Sequence, residues 1–296
     1  MDFELWLNNK VEIVEKALKD NFVRNENRQK LIYDAMEYSL FAGGKRLRSV
    51  IMLGVNEIFS KDYKNVLPFA CAMEMIHTYS LVHDDLPSMD NDDYRRGKLS
   101  NHKKFGDAAA ILAGDGLLNM AFEVMSRESL KLDTDKGLLL KAISIIAESS
   151  GSEGMIGGQI VDMFCEESIN DISDLEYLQR HKTGAIIKSS AAVGALLGGA
   201  SETEIKTIEK FADNLGLAFQ IQDDILDVEG NAEKLGKPVG SDENNHKKTY
   251  VSMLGLEEAK KLQKRLTNEA IEALSIFGEK SEMLIELCKY LLVREK

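Results

Sequence analysis

Apolar residues recur at helical spacing along most of the chain. In the first segment, 2–20, the positions that would share one buried helical face are Phe3, Leu7, Val11, Val14 and Leu18. Similar patterns predict further helices over 28–41, 49–59, 71–82, 107–125, 134–149, 185–199, 202–213 and, as a pair, 250–293. No segment alternates with a period of two. The pattern therefore predicts an all-α protein, one domain over 1–296 with roughly ten or more helices.

Composition narrows the possible partners and compartment. The chain has 296 residues, 44% of them hydrophobic, and a net charge of −12, which argues against a nucleic-acid partner. Its three cysteines have no metal-binding spacing and are typical of a reducing compartment. The first residues lack a signal-peptide pattern, and the longest apolar run, 191–200, is too short to span a bilayer. We therefore expect a cytoplasmic protein without membrane insertion.

Two acidic clusters each follow an apolar helical segment. The first holds Asp84 and Asp85, with further aspartates at 90, 92 and 93, and the second is the run 223–227. A run of like charge is most often a solvated loop. Because both clusters end apolar helices, we instead expect two walls of one cavity that holds cations.

The spacing within the clusters favours a metal site. Asp223 and Asp227 lie one helical turn apart, so their carboxylates share a face and suit Mg²⁺, which also takes phosphate oxygens. Asp84 and Asp90 are six residues apart and would point in different directions on a straight helix. Pro87 lies between them and interrupts the helical hydrogen bonds, which would let Asp90 turn back towards Asp84.

Several cations lie near these clusters or at predicted helix starts. Lys45 and Arg48 follow a Gly-Gly pair and open a helix, where cations are unfavourable, so an anionic ligand competes with the simpler interpretation of a surface helix start. His77 lies two turns before the first cluster and is either a core histidine or a phosphate contact. Lys182 interrupts an apolar region and would either extend to solvent or bind an anion. His102 and Lys103 are predicted to be solvated.

Seven short motifs occur in one order, and together they resemble the trans-prenyltransferases, or polyprenyl synthases. They are GGKRLR at 43–48, DDLPSMD at 84–90, RRG at 95–97, GGQ at 157–159, HKT at 181–183, FQIQDDILD at 219–227 and GKPVGSD at 236–242. The resemblance covers nearly the whole chain. It implies a helical bundle of the isoprenoid synthase type around a deep central cavity, and a homodimer.

The resemblance also implies a reaction and a metal. Such enzymes join an allylic diphosphate, dimethylallyl or geranyl, to isopentenyl diphosphate and form a longer allylic diphosphate. Mg²⁺ stabilises the departing diphosphate. By similarity three Mg²⁺ ions bind in each site: Asp84 and Asp90 hold two of them, and Asp223 holds the third with Asp227 in support.

The same resemblance assigns roles to the cations and to the polar residues between them. The isopentenyl diphosphate would be bound by Lys45, Arg48, His77 and Arg96. The allylic diphosphate would be bound by Arg95, Lys182 and Lys237. Two polar side chains, those of Thr183 and Gln220, would lie near the allylic carbon, where dipoles can stabilise a cation.

Product length depends on the depth of the cavity. Tyr79 lies five residues before Asp84, more than one helical turn deeper, and its ring would close the pocket. The aromatic residue and the two-residue insertion Pro87-Ser88 resemble the bacterial members that make the C15 product, farnesyl diphosphate. A geranylgeranyl or geranyl diphosphate synthase remains an alternative, as does a non-catalytic prenyltransferase-like subunit, although no motif is missing. A terpene cyclase would not need the cations of GGKRLR and RRG.

Overall fold

The structure, a computed structural model, describes residues 2–24, 28–165, 169–230 and 247–293. Helices dominate it. They are α1 (Phe3–Asn21), α2 (Lys30–Leu40), α3 (Leu47–Phe59), α4 (Leu67–Asp84), α5 (Asn101–Phe105), α6 (Asp107–Lys131), α7 (Lys136–Ser150), α8 (Met155–Phe164), α9 (Ile172–Gln179), a π-helical turn (Arg180–Gly184), α10 (Ala185–Gly198), α11 (Glu202–Glu229), α12 (Tyr250–Leu254), α13 (Leu256–Leu274), a 3₁₀ segment (Ser275–Ser281) and α14 (Glu282–Val293). The all-α prediction is confirmed.

Local sequence explains where several helices begin. The Asp2 side chain accepts a hydrogen bond from the Leu5 N–H at 3.0 Å and caps α1. Ser201 and Glu204 form a reciprocal capping box at the start of α11. In contrast, α3 follows Arg46, which has a left-handed backbone with φ 50° and no side-chain cap. Its first N–H groups must therefore be satisfied by another part of the molecule.

The core is arranged around α4 and α11. Helix α4 packs against α1, α2, α3 and α6, and α11 packs against α10 and α13. Three clusters of buried apolar side chains fill the spaces between these helices. Among the described residues, α6 is the one helix long and apolar enough to suit a membrane span, and its inner face is buried in this core.

The segment after α4 differs in part from the sequence prediction. A two-residue hairpin, β1 (Tyr94–Arg95) with β2 (Lys98–Leu99), precedes the short helix α5. His102, predicted to be solvated, is buried, and its ring nitrogen lies 3.0 Å from the Ser100 hydroxyl. Lys103 does remain partly exposed, beside Asp93. The prediction for His102 was wrong because the hairpin folds α5 inward onto α6.

Candidate active site

A cavity of about 500 Å³ opens between α4, α6, α8 and the π-helical turn. Part of the lining is charged and the rest is mainly apolar. Arg48 and His77 form one charged end. Asp84, two turns further along α4, forms the other charged end with Lys182 and Thr183. The apolar part includes Tyr79, Met89, Leu118, Met155, Ile160 and Ile186. The cavity therefore suits a ligand with an anionic head and an apolar tail.

The first acidic cluster turns where Pro87 predicts. Helix α4 ends at Asp84, and the Asp90 N–H then donates to the Asp84 carbonyl at 2.9 Å. Burial raises the pKa of the Asp84 carboxyl to about 6, against the opposing charge of Lys182, and the charge of Asp90 raises it further. A partly buried carboxylate beside a second one is a favourable position for a bound cation.

The two neighbouring aspartates of this cluster have different environments. Asp85 is buried and accepts two hydrogen bonds from Arg95, at 2.9 and 2.5 Å. Arg95 also contacts Asp92 at 3.0 Å. Burial raises the pKa of Asp85, and the hydrogen bond from Arg95 opposes that effect. Asp85 therefore orients Arg95, whereas Asp84 lines the cavity.

The second acidic cluster lies near the C-terminal end of α11. Asp224 is buried and accepts a hydrogen bond from the Tyr250 N–H at 2.8 Å. This bond attaches the start of α12 to α11. The charge of Asp223 acts on Arg48 and partly opposes the lowering of the pKa of that guanidinium by burial. Asp227 is buried one turn further on. The two predicted ligands Asp223 and Asp227 thus lie one turn apart on α11, and the charge of Asp223 reaches Arg48 of the cavity wall.

The π-helical turn carries both HKT residues assigned to the site. Lys182 donates to Asp162 at 2.5 Å, and Thr183 donates to the Gln220 side-chain oxygen at 3.3 Å. A Cβ atom on Gly158 would lie 2.2 Å from the Lys182 backbone nitrogen, so only glycine permits this approach of α8. Single-turn π-helices often occur at functional sites, where they redirect side chains.

Arg48 and His77 have unused hydrogen-bonding capacity. The Arg48 Nε and the His77 Nδ1 are both buried without a hydrogen-bond partner. Burial lowers the pKa of Arg48 to about 10, and burial together with the charge of Arg48 lowers the pKa of His77 well below 6.5. Buried polar atoms without partners are rare, and a ligand oxygen would satisfy these two.

Arg96 and Lys45 lie on the outer side of this cation cluster. The Arg96 guanidinium donates to the Gly43 carbonyl and packs on Gly44, where an added Cβ would lie 2.7 Å from it. Gly44 has φ 126°, a conformation that favours glycine. Lys45 is exposed beside them. The Gly-Gly pair therefore lets RRG approach GGKRLR.

Tyr79 is 5% exposed and lines the cavity on α4. Its ring lies edge-on to His83, with 5.7 Å between the ring centroids. His83 in turn contacts the Ile111 carbonyl at 3.0 Å and fills the space over Gly114 of α6. The Tyr79 hydroxyl is buried without a partner, so the ring is held by packing alone.

Comparison with known proteins identifies the family. The sequence pattern of the polyprenyl synthetase family matches residues 29–287. A farnesyl diphosphate synthase of Geobacillus stearothermophilus is 50% identical over 263 residues, which is 88% of this chain and 87% of that protein. The chain belongs to the polyprenyl synthetase family.

Other members of the family are also similar to the chain. The chloroplastic geranylgeranyl pyrophosphate synthase of Catharanthus roseus is 42% identical over 99% of this chain and 82% of its own. An apo crystal structure of an FPP/GFPP synthase from Zymomonas mobilis superposes with a TM-score of 0.87, at 34% identity, over 98% of this chain and 99% of that one. The predicted family and fold are thus confirmed.

Members of this family are generally metal-dependent, and the donor set here suits a hard divalent cation. Asp84 lines the cavity and the charge of Asp90 acts on it, and Mg²⁺ commonly takes one or two carboxylates together with substrate phosphate. Within the described residues, no three acidic, histidine or cysteine side chains are close enough to enclose an ion by themselves. The carboxylates therefore fit a metal that has further ligands besides these side chains.

The sequence predicts no role for some residues of this site, although two of them, Gln159 and Arg46, belong to the GGQ and GGKRLR motifs. Asp162 binds Lys182 across twenty residues, and the Gln159 amide nitrogen is buried at the cavity wall without a partner. Arg46 and Glu74 form a buried ion pair at 3.4 Å behind Arg48. The one predicted residue that lies outside the described residues is Lys237 of the motif at 236–242.

Proposed function

We propose that this chain is a Mg²⁺-dependent farnesyl diphosphate synthase. It condenses isopentenyl diphosphate with dimethylallyl or geranyl diphosphate and releases diphosphate. Family members act on isopentenyl and allylic diphosphates. The observation that carries the proposal is the 500 Å³ cavity, which joins a charged mouth to an apolar part that Tyr79 lines.

The allylic diphosphate binds at the carboxylate end of the cavity. Asp84, Asp90 and Asp223, with Asp227 in support, would hold three Mg²⁺ ions, which would supply positive charge to the departing diphosphate. Lys182 and Arg95 supply positive charge to this subsite. An ion pair with Asp162 orients Lys182, and one with Asp85 orients Arg95. Lys237 belongs to this set by the motif that surrounds it.

Isopentenyl diphosphate keeps its diphosphate and requires direct cations. Arg48 and His77 supply buried donors, and Lys45 and Arg96 supply charge at the surface. Charge-assisted hydrogen bonds of this kind are the strongest that proteins make to phosphate.

Bond formation begins when the allylic carbon–oxygen bond breaks and diphosphate takes the electron pair. The Thr183 and Gln220 oxygens stabilise the allylic cation by their dipoles. The double bond of isopentenyl diphosphate then attacks this cation and forms the new carbon–carbon bond. A proton leaves the adjacent carbon for the released diphosphate, so no side-chain base is required.

The ring of Tyr79 limits the product to a chain of 15 carbons. A geranylgeranyl diphosphate synthase is the second candidate, because proteins named geranylgeranyl diphosphate or pyrophosphate synthase are 41–43% identical over nearly the whole chain. Geranyl diphosphate synthesis would require a shallower cavity. A non-catalytic subunit would be expected to have lost a motif, and all seven are present.

We also propose that the protein is a single-domain, cytoplasmic homodimer. Helix α6 supports a dimer because Ile111 and Leu112 are 45% and 56% exposed on its outer face. An exposed apolar pair on a helix whose opposite face is buried in the core suits a second copy. Light scattering after size exclusion should give twice the 33.0 kDa chain mass.

The proposal is tested by the chain length of the product. Purified protein is incubated with Mg²⁺, isopentenyl diphosphate and dimethylallyl diphosphate, and the alcohols are separated after phosphatase treatment. Farnesol is the expected product. Geranylgeraniol would retain the chemistry but contradict the role of Tyr79, and the absence of product would support the non-catalytic alternative.

A further inference from the structure

A buried ion pair lies directly behind the Arg48 end of the cavity. The Arg46 side chain is 1% exposed and donates to Glu15 of α1 at 2.7 Å and to the Leu40 carbonyl of α2 at 2.6 Å. Its third contact, at 3.4 Å, is Glu74 of α4, whose side chain is 2% exposed. Because its contacts are made inside the protein, Arg46 is not a ligand of the diphosphate, although it belongs to the GGKRLR motif.

Glu74 also holds the start of α3. Its carboxylate accepts the Ser49 hydroxyl at 2.9 Å and the Ser49 N–H at 3.3 Å. The same hydroxyl lies 2.8 Å from the Ala70 carbonyl of α4. Arg48 is the residue before Ser49, and His77 lies one turn after Glu74 on α4. The contact between Glu74 and Ser49 therefore fixes the two helices that carry the unpartnered Arg48 and His77 donors.

Glu74 has a second effect, because the surrounding side chains are cationic. Of the charges that act on Arg48, Glu74 stabilises its protonated form most, ahead of Asp223, while Arg96 opposes it. Glu74 also stabilises the protonated form of Arg96, whereas the charge of Arg46 destabilises it. Without a bound anion, these arginines repel one another inside the protein, and a buried carboxylate reduces that repulsion.

We propose that Glu74 is a positioning residue that balances the arginines of the isopentenyl diphosphate site until the substrate arrives. Through Ser49 it also keeps Arg48 and His77 aimed into the cavity. This inference rests on the proposed function, since it assumes that these cations bind a diphosphate.

The charge-balancing role makes opposite predictions for the empty and the occupied site. Glu74→Gln keeps the size and one acceptor oxygen but removes the charge. The empty protein then loses the carboxylate that offsets Arg46, Arg48 and Arg96, so its Tm should fall. A bound anion restores the balance, so affinity for an anion should rise, with a Kd about fivefold to tenfold lower. A residue that only stabilised the fold would lower Tm without any gain in affinity.

The test is thermal unfolding with inorganic pyrophosphate in EDTA, which removes metal from the carboxylate end. Wild type, Glu74→Gln, Arg48→Gln and Glu57→Gln are compared across a pyrophosphate titration. Glu57 is a matched control because it lies on α3 and binds Lys10 and the Trp6 indole, outside the cation cluster. Glu57→Gln should lower Tm and leave the pyrophosphate Kd at the wild-type value.

The expected result is a rise of Tm with pyrophosphate in wild type, a larger rise at lower concentration in Glu74→Gln, and a much smaller rise in Arg48→Gln. A rise in Glu74→Gln equal to or below that of wild type would overturn the inference while leaving the proposed function intact. If pyrophosphate stabilised none of the four proteins, the cation site of the proposed function would itself be wrong.

Ser49→Ala tests the aiming role with the charge unchanged. This variant removes the 2.9 Å hydrogen bond to Glu74 and leaves both carboxylate and arginines in place. The KM for isopentenyl diphosphate should rise several-fold, while the KM for the allylic substrate stays within about twofold of wild type, since one buried hydrogen bond contributes about 1 kcal/mol. Equal changes in both KM values, or none, would contradict the aiming role.

Discussion

The two charged ends of the cavity are constructed differently. At the Arg48 end, buried groups hold one another in place: Glu74 joins α3 to α4, and Arg46 extends the contacts to α1 and α2. At the Asp84 end the carboxylates come from separate elements and are linked by the turn at Pro87, with the pKa of Asp84 raised to about 6 by its burial. The Arg48 end is organised in advance by buried contacts, whereas at the Asp84 end the charge of Asp90 acts against that of Asp84.

This difference matches the demands of the two proposed substrates. A diphosphate that is only bound is served best by donors that are already fixed, because no ordering is needed when it arrives. A diphosphate that must leave gains negative charge as its bond to carbon breaks. A metal held between carboxylates would offset that charge. The unequal organisation of the two ends therefore predicts unequal kinetic effects when each is altered.

The largest effect is expected from Asp84→Asn. Loss of this carboxylate weakens the metal site at the bond that breaks, so kcat should fall by about 10²–10³-fold or more. Added EDTA should abolish turnover of the wild type as well. Steady-state rates with both substrates, measured over a range of Mg²⁺ concentrations, check the prediction.

Asp93→Asn is the control for that experiment. Asp93 belongs to the same acidic cluster but is exposed and pairs with Lys103 at 2.7 Å. Its loss should change kcat by less than about twofold, since exposed ion pairs contribute little. A comparable loss in both variants would mean that the whole cluster acts through its net charge, which contradicts a specific metal role for Asp84.

The next largest effect is expected from Arg48→Gln. The guanidinium has a buried Nε without a partner, so its removal should raise the KM for isopentenyl diphosphate by about 10–100-fold. The KM for the allylic substrate should stay within about threefold, because that substrate binds at the other end. Arg127→Gln, which alters an arginine paired with Glu128 on α6, should change neither KM value.

Local sequence was sufficient for much of this architecture. Helical periodicity located the long helices, and Pro87 predicted the turn that brings Asp90 back to Asp84. Proline and apolar spacing act through neighbouring residues, so a sequence displays them directly. The motifs then indicated which polar residues would share a cavity.

The rest depends on contacts between distant segments. Nothing near Gly158 in the sequence indicates that it packs on the Lys182 backbone. The same is true of the pair formed by Arg46 and Glu74, two residues that are 28 positions apart in the chain. The sequence does not indicate that Asp85 accepts hydrogen bonds from Arg95 whereas its neighbour Asp84 lines the cavity. Such partners are set by helix packing, which the pattern of one chain does not specify.

Tyr79→Ala should change the product more than the rate. The ring lines the apolar part of the cavity, and its removal leaves room for a longer chain, so C20 and longer alcohols should replace farnesol. The variant should also lose about 3 kcal/mol of stability, as expected for a buried aromatic side chain. Chromatography of the dephosphorylated products and denaturant unfolding measure the two effects.

Tyr79→Phe separates the ring from its hydroxyl. Because the hydroxyl has no partner, this variant should keep both the C15 product and the stability of the wild type. An unchanged product in Tyr79→Ala would place the limit to chain growth elsewhere in the cavity, with His83 the next ring along α4.

The smallest effect, and the one that sharpens the contrast between the two ends, is the pH dependence of His77. Burial and the charge of Arg48 lower the pKa of this histidine well below 6.5, so the folded protein holds it neutral while the unfolded chain takes up a proton near pH 6.5. Its contribution to stability is therefore complete above that pH and decreases as the pH falls below it.

A bound diphosphate adds negative charge and should raise the pKa of His77, which reduces this loss of stability. Thermal unfolding is measured between about pH 7.5 and about pH 5.5. The Tm of wild type should fall more over this range than the Tm of His77→Gln, and pyrophosphate in EDTA should reduce the difference between the two falls. If Tm depended on pH in the same way in the two proteins, His77 would not titrate as described. The Arg48 end would then be more exposed to water than its contacts indicate.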